Sequence, residues 1–109
     1  VGKLFISDLM ATIATQEIYS AKEIIFHEGN QAVSFYTMIS GKVNLSIQNG
    51  HNVYMICTPG EVFGWSSLVE RKTYTATAKC IEPTLLLKFD HNDFQKILQK
   101  LRKKSQKRH

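Results

Sequence analysis

A mostly β fold follows from three observations along the chain. β-prone runs of about five to seven residues recur between residues 16 and 89, turn signals separate them roughly every eight to twelve residues, and no helical stretch there is long enough to cross over between parallel strands. Such spacing belongs to an antiparallel sandwich or roll.

Residues 3–13 precede the strands. Phe5, Leu9, Met10 and Ile13 stand on one face of a short helix, with Ser7 as a candidate N-cap. Gln16–Tyr19 and Glu23–Phe26 then flank a Ser-Ala-Lys turn, and Ile24, Ile25 and Phe26 form a β-rich run. Gly29 is placed for a tight turn. Ser34–Ser40 is the next β-prone run and Gly41 ends it, after which Lys42–Ile47 alternates with Val43, Leu45 and Ile47 on one face. Asn49-Gly50 is the pair that a two-residue type I′ hairpin favours, and Val53–Cys57 is its returning strand. Thr58-Pro59-Gly60 makes another turn, a Thr-Tyr-Thr-Ala-Thr-Ala strand runs through Ala78, and Pro83–Phe89 gives a last strand through Leu85, Leu86 and Leu87.

Asp90 opens a closing helix as its cap, with Asp93 favouring the first turn through the helix dipole. Phe94, Ile97, Leu98 and Leu101 form one apolar stripe. Phe94 and Leu98 are expected to pack on the strands, leaving Ile97 and Leu101 for a partner and a monomer or weak homodimer as the assembly. Beyond Leu101 no apolar residue remains, so the expected division is a domain over residues 1–101 and a basic tail over 102–109 that frays into solvent.

Charge follows the same division. Residues 96–109 hold seven of the fourteen Lys and Arg and no acid, while residues 1–95 hold seven against nine acids, a net −2. The basicity is a tail, which argues against a nucleic-acid-binding surface on the domain. The longest apolar runs are too short to span a membrane, and no charged-then-apolar leader opens the chain. Cys57 and Cys80 stand far apart and read as buried thiols of a cytoplasmic protein.

One stretch carries candidate chemistry. From Gly60 to Ala78, two glycines four residues apart follow an apolar strand, and Ser66-Ser67 opens a short turn. Glycines let a backbone approach a ligand, and hydroxyls and amides at a turn start favour an anion. Gly64, Trp65, Ser66, Ser67, Tyr74 and Thr75 are the candidate ligand contacts. Each has a plainer reading: the serines cap the turn, Trp65 fills or plugs the interior, and Tyr74 pairs across the sheet. His27, His51 and His91 lack metal-ligand spacing and are expected to be solvated. No nucleophile–base–orienter set appears, so no enzyme is expected.

In sequence order, Ile25-Phe26-His27-Glu28-Gly29, Ile39-Ser40-Gly41-Lys42-Val43, Pro59-Gly60-Glu61-Val62-Phe63-Gly64, Thr75-Ala76-Thr77-Ala78 and Asp90 resemble the cyclic-nucleotide-binding domain of catabolite-activator-type regulators, protein kinase A regulatory subunits and cyclic-nucleotide-gated channels. The resemblance covers about residues 4–101. It implies an eight-stranded antiparallel β-roll of jelly-roll type between a short N-terminal and a C-terminal helix, with the Gly60–Ala78 stretch as the phosphate-binding cassette. The family's ligand-binding members place a glutamate after the second glycine and an arginine before the Ser/Thr-Ala pair. Here Trp65 and Tyr74 take those positions, and Arg71 lies three residues too early. The resemblance therefore implies a bacterial, Crp/Fnr-like regulatory module for signalling and transcription regulation, with altered or lost cyclic AMP binding. Its small-molecule effector would be a cyclic nucleotide or another phosphorylated or flat molecule, and the alternative is a ligand-free interaction scaffold on the same roll. Eight residues after Leu101 are too few for a helix-turn-helix, so no DNA-binding domain is expected in this chain.

Overall fold

Alternation along the strands sorts side chains into an interior and an outer layer. The computed structural model describes residues 2–48, 50–64 and 73–106, with side chains over 8–48, 50–64 and 73–102. Among these, helix α1 (Gly2–Ile13) leads into β1 (Ala14–Tyr19), β2 (Ile24–Phe26), β3 (Ser34–Ser40), β4 (Val43–Ile47), β5 (His51–Ile56), β6 (Val62–Phe63), β7 (Thr77–Cys80) and β8 (Thr84–Asp90), and α2 (His91–Gln106) follows. The strands form two antiparallel four-stranded sheets, ordered β1-β8-β3-β6 and β2-β7-β4-β5. This is the expected β-roll with a helix at each end.

Between the sheets, Tyr36, Met38 and Leu86 meet Val43, Ile56, Ala78 and Cys80, with Phe26, Phe63 and Tyr74 closing one end. The intervening residues of β3 and β8 face the other way. Phe35 and Phe89 are register partners and stack at 5.0 Å, and Phe94 of α2 meets Phe35 edge-on at 5.2 Å. Ile97 of α2 is also buried, worth about 1.5–3 kcal/mol for a fully buried side chain. Asp90 caps the helix as expected, its Oδ1 accepting from the amides of Asn92 at 2.9 Å and Asp93 at 3.1 Å.

Edge strand β1 carries a short polar clasp. The Tyr19 hydroxyl donates to the half-buried Glu17 carboxylate at 2.6 Å, while Ile18 between them is 82% exposed.

Several expectations are corrected. Helix α1 begins at Gly2, so Ser7 lies within it and is not its cap. Ile97 is buried within the domain, where α2 packs against both α1 and β8, and it is not free for a partner. Helix α2 continues to Gln106 instead of ending at Leu101, consistent with strong helix formers and with cations that complement the C-terminal dipole. Cys57 is exposed where β5 has ended, whereas Cys80 is buried. The β4–β5 hairpin closes with Ile47 opposite His51, leaving three loop residues where a two-residue type I′ turn was expected. Gln48 and Gly50 both have positive φ there, and Asn49 lies outside the described residues. Strand β7 begins at Thr77, and Thr73 makes only an isolated bridge to Gln31.

Gly41, at φ +111°, lies against the β8 entry, where a Cβ would come 2.7 Å from Thr84 Cα and 2.8 Å from Pro83 O. Gly50, at φ +97°, has open space around it. Gly50→Ala should therefore cost only the left-handed backbone penalty of about 1–2 kcal/mol. Gly41→Ala should add overpacking of about 1–3 kcal/mol, since backbone cannot step aside. Urea unfolding checks the ranking, and equal losses would refute the close approach at Gly41.

Candidate functional site

Where the sheets part at one end of the core, they enclose a cavity of about 360 Å³, within the range of small-molecule sites. Its aromatic wall is Phe26 from the end of β2, Tyr54 from β5, Phe63 from β6, and Tyr74. Leu45, Ile56 and Val62 add an aliphatic floor, and Gly64, Thr75 and Ala76 form the rim. The β4–β5 hairpin sets part of this wall by placing Leu45 opposite Tyr54. No charged side chain lines the cavity among the described residues.

Tyr74 is the most constrained member. Its ring stacks on Phe26 at 3.8 Å and 14°, and Phe26 also lies near Tyr36 and Phe63. Its hydroxyl donates to Ser34 O at 2.6 Å and accepts from Ser34 N at 3.2 Å. Both bonds are buried, and burial raises the phenol pKa, so the group is neutral at physiological pH. The Tyr74 amide donates to Asn30 O at 2.9 Å, and its carbonyl accepts from Gly29 N at 2.9 Å. Tyr74 thus pairs through its backbone with the 29–31 turn, while its hydroxyl is engaged away from any ligand.

Gly64 approaches the same strand. At φ +83°, a Cβ there would lie 3.3 Å from both Ser34 O and Phe35 Cα, tighter than ordinary contact. Thr75 is exposed at the rim. Trp65, Ser66 and Ser67, together with Arg71, lie outside the described residues. The structure therefore brings three of the six predicted contacts, Gly64, Tyr74 and Thr75, to one cavity.

At the mouth, the exposed Tyr54 hydroxyl donates to Glu61 Oε2 at 2.6 Å, and Glu61 Oε1 accepts from Thr58 N at 3.2 Å. The Tyr54 bond and the backbone donors hold the Glu61 carboxyl below its usual range, and the same carboxylate raises the Tyr54 phenol. Sequence reasoning did not single out Phe26, Leu45, Tyr54, Ile56, Val62, Phe63 or Ala76 as cavity residues. The alternation of Leu45 and the hairpin pairing were the available signals for the β4–β5 part of the wall.

His27 and His51 are exposed as expected, but His91 is not fully solvated. Its amide donates to Val33 O at 2.8 Å, and its Nδ1 is buried with no hydrogen-bond partner among the described residues. Among the described residues, no three His, Cys, Asp or Glu side chains group as metal ligands. No helix among the described residues is long and apolar enough to cross a membrane.

Comparison with known proteins places this geometry in context. Residues 16–101 match the cyclic nucleotide-binding domain family. The cyclic AMP receptor protein of Thermus thermophilus is 28% identical over 97 residues, covering 86% of this chain and 45% of its own length. The chain thus spans less than half of that relative. The crystal structure of the Thermus thermophilus catabolite activator protein superposes with a TM-score of 0.76 at 27% identity, over 87% of this chain and 46% of that one. The sensor domain of the transcriptional regulator DNR from Pseudomonas aeruginosa shares the fold, with a TM-score of 0.75 at 20% identity over 85% of this chain and 67% of that one.

The aromatic interior also determines how the chain responds to alkali. Burial is the largest cause raising the phenols of Tyr19, Tyr36 and Tyr74. In the unfolded chain they ionise near the ordinary 10.0, so the native state then binds more protons and stability falls as pH rises. Urea unfolding should show little change from these groups below about pH 9 and a steep loss above about pH 10, at up to about 1.4 kcal/mol per pH unit for each phenol. Tyr36→Phe should make that loss shallower. A profile unchanged to pH 11 would contradict the burial of these hydroxyls.

Proposed function

This chain belongs to the cyclic nucleotide-binding domain family, and from that membership we propose a small-molecule-sensing regulatory module whose pocket does not depend on a cyclic phosphate. One observation carries the reading: at the position that holds the family's phosphate-binding arginine, Tyr74 spends its hydroxyl on the Ser34 backbone. A neutral, occupied phenol offers a phosphate neither charge nor a free donor. Trp65 similarly replaces the family's ribose-binding glutamate. Charge-assisted hydrogen bonds contribute roughly 1.5–3 kcal/mol each, so losing both lowers cyclic AMP affinity by about two to four powers of ten.

What the described cavity offers instead is stacking surface and apolar contact. Its preferred effector is a flat ring system that gains little from a phosphate, with Gly64 and Thr75 at the rim beside it. The relatives named a cyclic AMP receptor protein and a catabolite activator protein support a place in a Crp/Fnr-type, cytoplasmic transcription regulator. With Ile97 buried inside the domain, α2 has less apolar surface for self-association, which favours a monomer or a weak dimer.

Calorimetry with cyclic AMP, cyclic GMP and adenosine tests the reading. Adenosine should bind at least as tightly as cyclic AMP, and both cyclic nucleotides should bind weakly, as losing two charge-assisted bonds requires. Micromolar or tighter cyclic AMP binding, with adenosine ten times weaker or more, would show that the phosphate is held after all. Binding of none of the three, nor of other flat rings, would favour the scaffold reading.

A further inference from the structure

We infer that Tyr74 is a latch between the cavity and the closing helix: its ring forms cavity wall, and its hydroxyl holds the strand end on which α2 is seated. The inference rests on the reading of the cavity as a ligand site and adds how occupancy would be transmitted.

The path is short and made of named bonds. β6 pairs with β3 at Tyr36 and Thr37. Beyond that pairing, at Ser34, the Tyr74 hydroxyl serves both backbone groups, donating to the carbonyl and accepting from the amide. Ser34 is the register partner of Asp90, whose carboxylate caps α2. The preceding carbonyl, Val33 O, accepts the amide of His91, the first residue of the helix. Two neighbouring residues, Val33 and Ser34, are thus held by the cavity wall on one side and by the helix start on the other. Gly64, also in the cavity lining, runs close by, since a Cβ there would come within 3.3 Å of the same Ser34 carbonyl.

The junction is held without being saturated. Among the described residues, Ser34 Oγ and His91 Nδ1 are both buried with no hydrogen-bond partner. Both return to water if the first turn of α2 lifts, which lowers the cost of lifting it. What opposes that release is the Phe35–Phe89–Phe94 cluster, the buried Ile97 and the Tyr74 bonds. Of these, only Tyr74 also touches the cavity. Leaning or rotating its ring against a ligand lengthens or shortens the bonds to Ser34, and the helix cap follows.

Hydrogen exchange on the full chain, followed amide by amide, tests the latch with Tyr74→Phe. This substitution keeps the stacked ring and removes both hydroxyl bonds. The amides of His91, Asn92 and Asp93 report on the junction, and those of Val43, Ala78 and Cys80 in the other sheet report on global opening. The latch requires junction amides to exchange roughly tenfold faster in the variant, the scale of one to two lost hydrogen bonds, with the other sheet unchanged. Unchanged junction amides, or equal acceleration everywhere, would overturn it and leave Tyr74 a packing residue.

Adenosine then serves as the probe. At saturation it should alter exchange at His91–Asp93 in the unmodified chain and not in Tyr74→Phe. Adenosine that binds and leaves those amides unmoved overturns the coupling while the ligand site stands. If adenosine does not bind, that result counts against the site, and the ligand-free comparison of Tyr74→Phe with the unmodified chain decides the latch.

Discussion

The backbone of Ser34 is where the architecture converges. A β-strand end has an amide and a carbonyl that must find partners if buried, and here β6, which pairs with β3 only at Tyr36 and Thr37, stops short of Ser34. Tyr74 meets the need with a single hydroxyl that donates and accepts at once. That choice fixes much else. It holds Tyr74 with its ring stacked on Phe26 and makes an aromatic residue part of the cavity wall.

β3 serves two layers through the period of two along a strand. Tyr36 and Met38 face the inter-sheet core, and Phe35 faces outward to Phe89 and Phe94. Cavity wall and helix seat are therefore successive residues of one strand. A displacement of β3 by a fraction of an ångström reaches both, since packed interiors do not absorb volume changes freely. The small size of the domain makes this proximity unavoidable: there is no intervening layer in which a movement could be dissipated.

Much of this was legible before any coordinates. An antiparallel sandwich or roll, the cap at Asp90 and the glycine at the cavity rim follow from local rules about strand spacing, capping and close approach, while the count of eight strands came with the family resemblance. The misreadings share a cause, which is that tertiary partners decided them. The stretch 73–76 has strand propensity, but Tyr74 pairs with Gly29 and Asn30 instead, so β7 starts at Thr77. The stripe on α2 revealed its apolar face, yet which of its residues become buried depends on how α2 docks against β8 and α1. Cys57 looked internal by residue type, but the interior side of the strand ends at Ile56. For the site, spacing led to Gly64, Tyr74 and Thr75, whereas most of the aromatic wall looked like ordinary core.

The clasp on β1 has a consequence for how the molecule behaves in crowded solution. A sheet margin with free backbone groups and an 82% exposed isoleucine is a template on which another chain could add a strand. Glu17 sits beside that isoleucine with its carboxylate half-buried and held by Tyr19. An incoming strand would have to bury that charge further and find it a second partner, at a desolvation cost that neutral residues would not impose. The clasp thus acts as a gatekeeper against aggregation, and it does so at the margin opposite the cavity strand β6 within the same sheet.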